Sequence, residues 1–131
     1  MGKRIIITAS ILGFLGVLLG AFAAHGLKAV VTEQQITAFQ TGVRYQFYHA
    51  FLLLFIGNTF SISEFLKKRI YVLVLLGVVF FSGSIYVLTL DEYIIGQNLK
   101  GIAFITPVGG LLLLAAWAVL FVGVLKNKKD T

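Results

Sequence analysis

The stretch TGVRYQFYHAFLLLFIG, Thr41–Gly57, decides how this chain is read. Its second half is continuously apolar, while its first half carries Arg44, Tyr45, Gln46, Tyr48 and His49. An unbroken apolar run without alternation predicts a helix and not a half-buried strand. Polar side chains that lead directly into such a run share its environment, so the nature of that environment is the first question.

Composition answers it. Hydrophobic residues make up 59% of the 131 positions and charged residues 12%, against ~25% charged in an ordinary soluble domain. One domain of this size cannot hide so much apolar surface from water, so the solvent is lipid. Cysteine is absent, which removes disulfides and thiolate chemistry. The net charge of +6 could suggest nucleic acid, but the basic residues stand at the ends of apolar runs, where anionic headgroups account for them. No nucleic-acid partner is expected.

Working outward from Thr41–Gly57, four apolar runs appear: Ile5–Ala24, Val43–Ile62, Ile70–Leu90 and Ile102–Leu125. At ~1.5 Å per residue each crosses a ~30 Å hydrocarbon core. The fold class expected is an all-α integral membrane protein, a bundle of four transmembrane helices in a single domain. Lys3 and Arg4 before the first run, with Ala21-Phe22-Ala23 near its end, also resemble a signal peptide. With Met1 retained, the run is expected to be a membrane helix. Eight Lys and Arg lie at the two termini and at residues 67–69, and three (Lys28, Arg44, Lys100) on the other side. The positive-inside rule then places both termini in the cytoplasm and TGVRYQFYHA at the outer face.

Before that stretch, Thr32 and Gln35 form a capping-box pattern that starts a helix. The polar Glu33-Gln34-Gln35 tract favours an outer amphipathic segment over about 32–42, bending near Gly42. A single helix from Glu33 to Ile62 is the alternative. Ile36, Phe39, Val43 and Phe47 make its expected apolar stripe. Helix packing is expected along small residues, since apolar side chains gain nothing from each other in lipid. Ala9, Gly13, Gly16, Gly20 and Ala23 form one such seam, and Gly109, Ala116 and Gly123 a second. Trp117 falls mid-span and reads as space-filling, while Asp91 and Glu92 read as solvated loop acids.

At 100° per residue, Thr41, Arg44, Tyr45, Tyr48 and His49 share a face ~140° wide. Such a face is costly against lipid tails and must meet the bundle or a wet cavity. His25, at the outer end of the first run, is expected to approach it. These residues are the candidate ligand-binding set: His25, Arg44, Tyr45, Tyr48 and His49. A hydrogen-bonded polar knot ranks first among their roles. An anionic headgroup or quinone held by Arg44 and the tyrosines comes next, then a proton or ion path through His49. Metal or haem ligation by the two histidines ranks last, because no Glu-x-x-His or His-x-x-x-His spacing accompanies them. No metal, cofactor or catalytic motif is expected.

Three motifs, GAFAAHGLK at Gly20–Lys28, YQFYHA at Tyr45–Ala50 and ITPVGG at Ile105–Gly110, resemble the bacterial domain of unknown function 423 family. A eukaryotic group, transmembrane protein 256, is related to it. The resemblance implies a small multi-pass protein of the bacterial cytoplasmic membrane and supplies no activity. It singles out His25, Tyr45, Gln46, His49, Thr106, Pro107, Gly109 and Gly110 as motif positions. The function expected is non-enzymatic: an accessory or assembly protein that binds lipids, partner membrane proteins or further copies of itself. A small oligomeric transporter or channel is the alternative.

Overall fold

The structure, a computed structural model, describes residues 1–91 and 96–126. Its described part is helical, with no strand. Helix α1 spans Gly2–Ala24, α2 Glu33–Asn58, α3 Glu64–Val78, α4 Ser84–Leu90 and α5 Ile105–Lys126. A π-helical turn, Val79–Gly83, joins α3 to α4 with helical backbone on both sides, so Glu64–Leu90 is one rod. Three helices are long and apolar enough to cross a membrane: Gly2–Ala29, Glu64–Leu90 and Lys100–Lys126. The 26 residues of α2 reach ~39 Å, which is also sufficient length, but its composition is more polar.

The second helix corrects the sequence reading. It runs unbroken from Glu33 to Asn58, so the 32–42 segment is its first third and not a separate piece. The capping box forms as read, with Gln35 N–H donating to Thr32 Oγ1 at 3.2 Å and Thr32 N–H to Gln35 Oε1 at 2.9 Å. Gly42 causes no bend because it is buried against Tyr86. The expected end at Ile62 gives way to Asn58, because Thr59 is extended and Ser63 already caps the next helix. That cap starts α3 at Glu64, so Lys67, Lys68 and Arg69 lie on its first two turns and not in a loop.

Packing runs in a row. Helix α1 lies along α2, α2 along the Glu64–Leu90 rod, and the rod along α5; α1 and α5 share no extensive contact. Close approach replaces the missing hydrophobic drive. The second seam forms as expected: Gly109 abuts the backbone of Phe80 and Phe81, Ala116 is buried, and Gly123 meets Leu66. The first is interrupted. Gly16 receives the Phe47 ring and Gly20 meets Val43, but Gly13 has nothing within 4 Å. Gly110 makes only ordinary contact, at 3.7 Å, with the Phe81 ring.

Both ends are tied by charge. Glu64 lies 3.8 Å from the Met1 ammonium and 3.5 Å from the buried Lys67. At the other end Asp91 is fully buried, contrary to its reading as a solvated acid. It accepts from Leu99 N–H at 3.2 Å and pairs with Lys100 at 3.6 Å, so it anchors the approach to α5. Its neighbours Glu92 and Tyr93, and the basic residues Lys128 and Lys129, lie outside the described residues.

Gly109 supplies the test of this packing. A β-carbon there would stand 2.2 Å from the Phe81 backbone nitrogen, and backbone cannot step aside as a side chain can. Gly109→Ala is expected to cost about 1–3 kcal/mol, read as a lower melting temperature in detergent. Gly13→Ala should leave that temperature unchanged.

Candidate functional site

Two apolar clusters fill the interior. One contains Ile5, Leu53, Ile56, Ile70 and Val74, and the other Ala23, Leu27, Phe39 and Val43. Polar side chains cross the bundle between and beside them. Gln46 is 3% exposed; its Nε2 donates to the Leu12 carbonyl on α1 at 2.7 Å, and its Oε1 accepts from Tyr86 O–H on α4 at 2.7 Å. One amide thus joins three helices. Ser82, in the π turn, donates to the Gly42 carbonyl at 2.7 Å. The hydroxyls of Ser84 and Thr106 bond each other across α4 and α5.

His49 completes the set. Trp117 Nε1–H donates to His49 Nε2 at 3.1 Å, and His49 Nδ1 lies 2.7 Å from the Tyr45 carbonyl. An indole N–H can only donate and a carbonyl can only accept. The imidazole is therefore neutral, with its proton on Nδ1. Among the described residues no buried side-chain nitrogen or oxygen lacks a partner, so the belt is satisfied within the bundle.

The expected single face of α2 is divided. His49 is buried, but Arg44 is exposed, and Tyr45 and Tyr48 are 40% and 52% exposed. At 100° per residue, Arg44 stands ~180° from the buried Leu53, so it points directly away from the core. Its Nη2 donates to Thr41 Oγ1 at 3.0 Å, and Thr41 and Thr37 each bond back to a carbonyl one turn earlier. Tyr45 lies between the two groups, its ring 5.0 Å from Phe81 and stacked at 6.4 Å on His49. Outside the bundle, then, run Thr37, Thr41, Arg44 and Tyr48; inside lie Gln46 and His49.

His25 does not join them. It ends α1, is exposed, and its backbone N–H bonds the Phe22 carbonyl. Phe22 packs edge-on against Phe39, which sets His25 beside the first turns of α2, ~15 Å along the helix from His49. The short side chains cannot close that gap. Among the described residues, no His, Asp and Glu cluster suited to a metal forms.

Gln46 and Tyr86 were missed as site residues, and Trp117 was read only as filler. The signal for Gln46 was a spacing of seven. Phe39, Gln46 and Leu53 are all buried, as are Gly42, His49 and Ile56. Removing that amide takes the cross-helix donor from the Leu12 carbonyl and the acceptor from the Tyr86 hydroxyl together. Gln46→Ala is expected to cost about 1–3 kcal/mol, whereas Trp117→Phe, losing one bond in lipid, should cost ~0.6–1.7 kcal/mol. Arg44→Ala should leave detergent stability near wild type; melting curves of the three variants provide the check.

Comparison with known proteins identifies the family. A family model described as a protein of unknown function (DUF423) matches residues 19–110, which include α2, the π turn and the Ser84–Thr106 pair. The UPF0382 inner membrane protein YgdD of Escherichia coli strain K12 is 38% identical over 97% of this chain and 93% of its own. A UPF0382 membrane protein of Staphylococcus haemolyticus is 36% identical over 95% of this chain and 97% of its own. One from Staphylococcus aureus is 32% identical over the same shares. No solved structure matches. With its long apolar helices and these relatives, the chain is a multi-pass membrane protein and belongs to the DUF423 family of uncharacterised membrane proteins.

Proposed function

We propose that this protein is a four-span, non-enzymatic accessory or assembly protein that binds a partner membrane helix along the exposed face of α2. The observation that carries this reading is Arg44. It points away from the core with the half-buried Thr41 and the exposed Tyr48 beside it. Contacts of Gly20 with Val43 and of Gly16 with Phe47 set Arg44 level with Leu19, five residues inside the end of α1, or ~8 Å. A charge there facing lipid tails alone is unfavourable by up to ~3 kcal/mol. A partner's carbonyl or carboxylate removes that cost, and the flanking phenols supply amphipathic contact. The partner is a second copy of the chain or another membrane protein.

The transporter reading draws less support. Both apolar clusters flank the polar belt, and its groups are paired within the bundle, which favours a structural joint over a passage.

Because the chain has no cysteine, one introduced thiol can be labelled uniquely. With a benzophenone maleimide on Tyr48→Cys in native membranes, illumination should give a discrete higher-mass protein adduct, and the same label at the exposed Phe14→Cys should not. Labelled lipid alone from position 48 would replace the partner with a headgroup and refute this reading.

Both termini are proposed to lie in the cytoplasm, in a bacterial inner membrane. The eight-to-three distribution of Lys and Arg supports this orientation, and the relative from Escherichia coli is named as an inner membrane protein. A reporter fused after Thr131 should be active only in its cytoplasmic form; a periplasmic signal would reverse the topology.

A further inference from the structure

Where α3 starts and α5 ends, Gly123 rests on Leu66. Between the two helices opens a groove of about 340 Å³, walled by Leu66, Val119 and Val122 and bordered by Arg69 and Lys126. Taking Leu66 and Gly123 as one level, Arg69 lies three residues toward the bundle centre and Lys126 three residues toward its end. The two cations are thus staggered by ~9 Å along the axis.

Neither cation has an ion-pair partner among the described residues. Among the described residues, ion pairs join Glu64 to Met1 and Lys67, and Asp91 to Lys100; none includes Arg69 or Lys126. The Arg69 guanidinium lies over the exposed Phe65 ring, 5.4 Å from its centroid. Stacking uses the face of the guanidinium and leaves its in-plane donors free. Among the described residues, no acid lines the groove.

We propose that this groove holds an anionic phospholipid, with its phosphate between Arg69 and Lys126 and one acyl chain along Val119 and Val122. Staggered cations beside an apolar wall match a phosphodiester attached to hydrocarbon, and basic recesses between membrane helices favour such headgroups. A zwitterionic lipid brings its own cation to the same place and loses that advantage. The site is on a different pair of helices from the α2 face and at the opposite end of the bundle from His25, so it stands or falls separately from the partner reading.

Native mass spectrometry of the purified protein, with phosphatidylglycerol or phosphatidylcholine of identical chains added, tests it. Phosphatidylglycerol should be retained as a single adduct and should raise the melting temperature; phosphatidylcholine should do neither. Arg69→Gln with Lys126→Gln should weaken retention by about tenfold or more. Lys3→Gln with Arg4→Gln removes equal charge from another recess at the same end and should leave retention unchanged. Equal retention of both lipids by the wild-type protein, or equal loss in both double variants, would overturn the site.

Discussion

The amide of Gln46 is the joint on which the bundle depends. In lipid, one apolar helix gains little by exchanging hydrocarbon tails for another helix, so association must come from close packing and from hydrogen bonds. Gln46 supplies bonds to α1 and α4 from a single buried side chain on α2. That makes the joint directional, because the amide satisfies both groups only when all three helices hold one rotation and one height.

Beside this joint the backbone itself departs from α geometry. The π turn at Val79–Gly83 brings Ser82 onto the Gly42 carbonyl and presents the Phe80–Phe81 backbone to Gly109. An irregular turn inside a helix is retained when neighbouring elements fix it, and such turns are frequent at functional positions. Here glycines on two flanking helices close on it from either side. The rod is therefore held most tightly where its own hydrogen-bond pattern is least regular.

Much of the fold was legible in the sequence. Apolar runs locate α1, the Glu64–Leu90 rod and α5, and the Thr32–Gln35 pattern locates the start of α2. What was not legible is rotation about the α2 axis. Arg44, Tyr48 and His49 fall on one broad polar face of a helical projection, yet the surface of the bundle cuts through that face and separates Arg44 from His49. Only the positions of neighbouring helices decide where the cut falls. Gln46 was hidden for the same reason: its type suggests exposure, and its heptad partners Phe39 and Leu53 suggest burial. The acid Asp91 was misread because adjacency to Glu92 in sequence says nothing about its burial against Leu99 and Lys100.

The hydrogen bond from Trp117 to His49 has an experimental consequence. This is the chain's single tryptophan, and its ring nitrogen is bonded to an imidazole on a different helix. Indole emission shifts when its N–H gains or loses an acceptor, so the protein carries its own optical gauge of the distance between α2 and α5. Any ligand, partner or lipid that loosens or tightens that pair can be followed in the unmodified molecule, without attaching a dye.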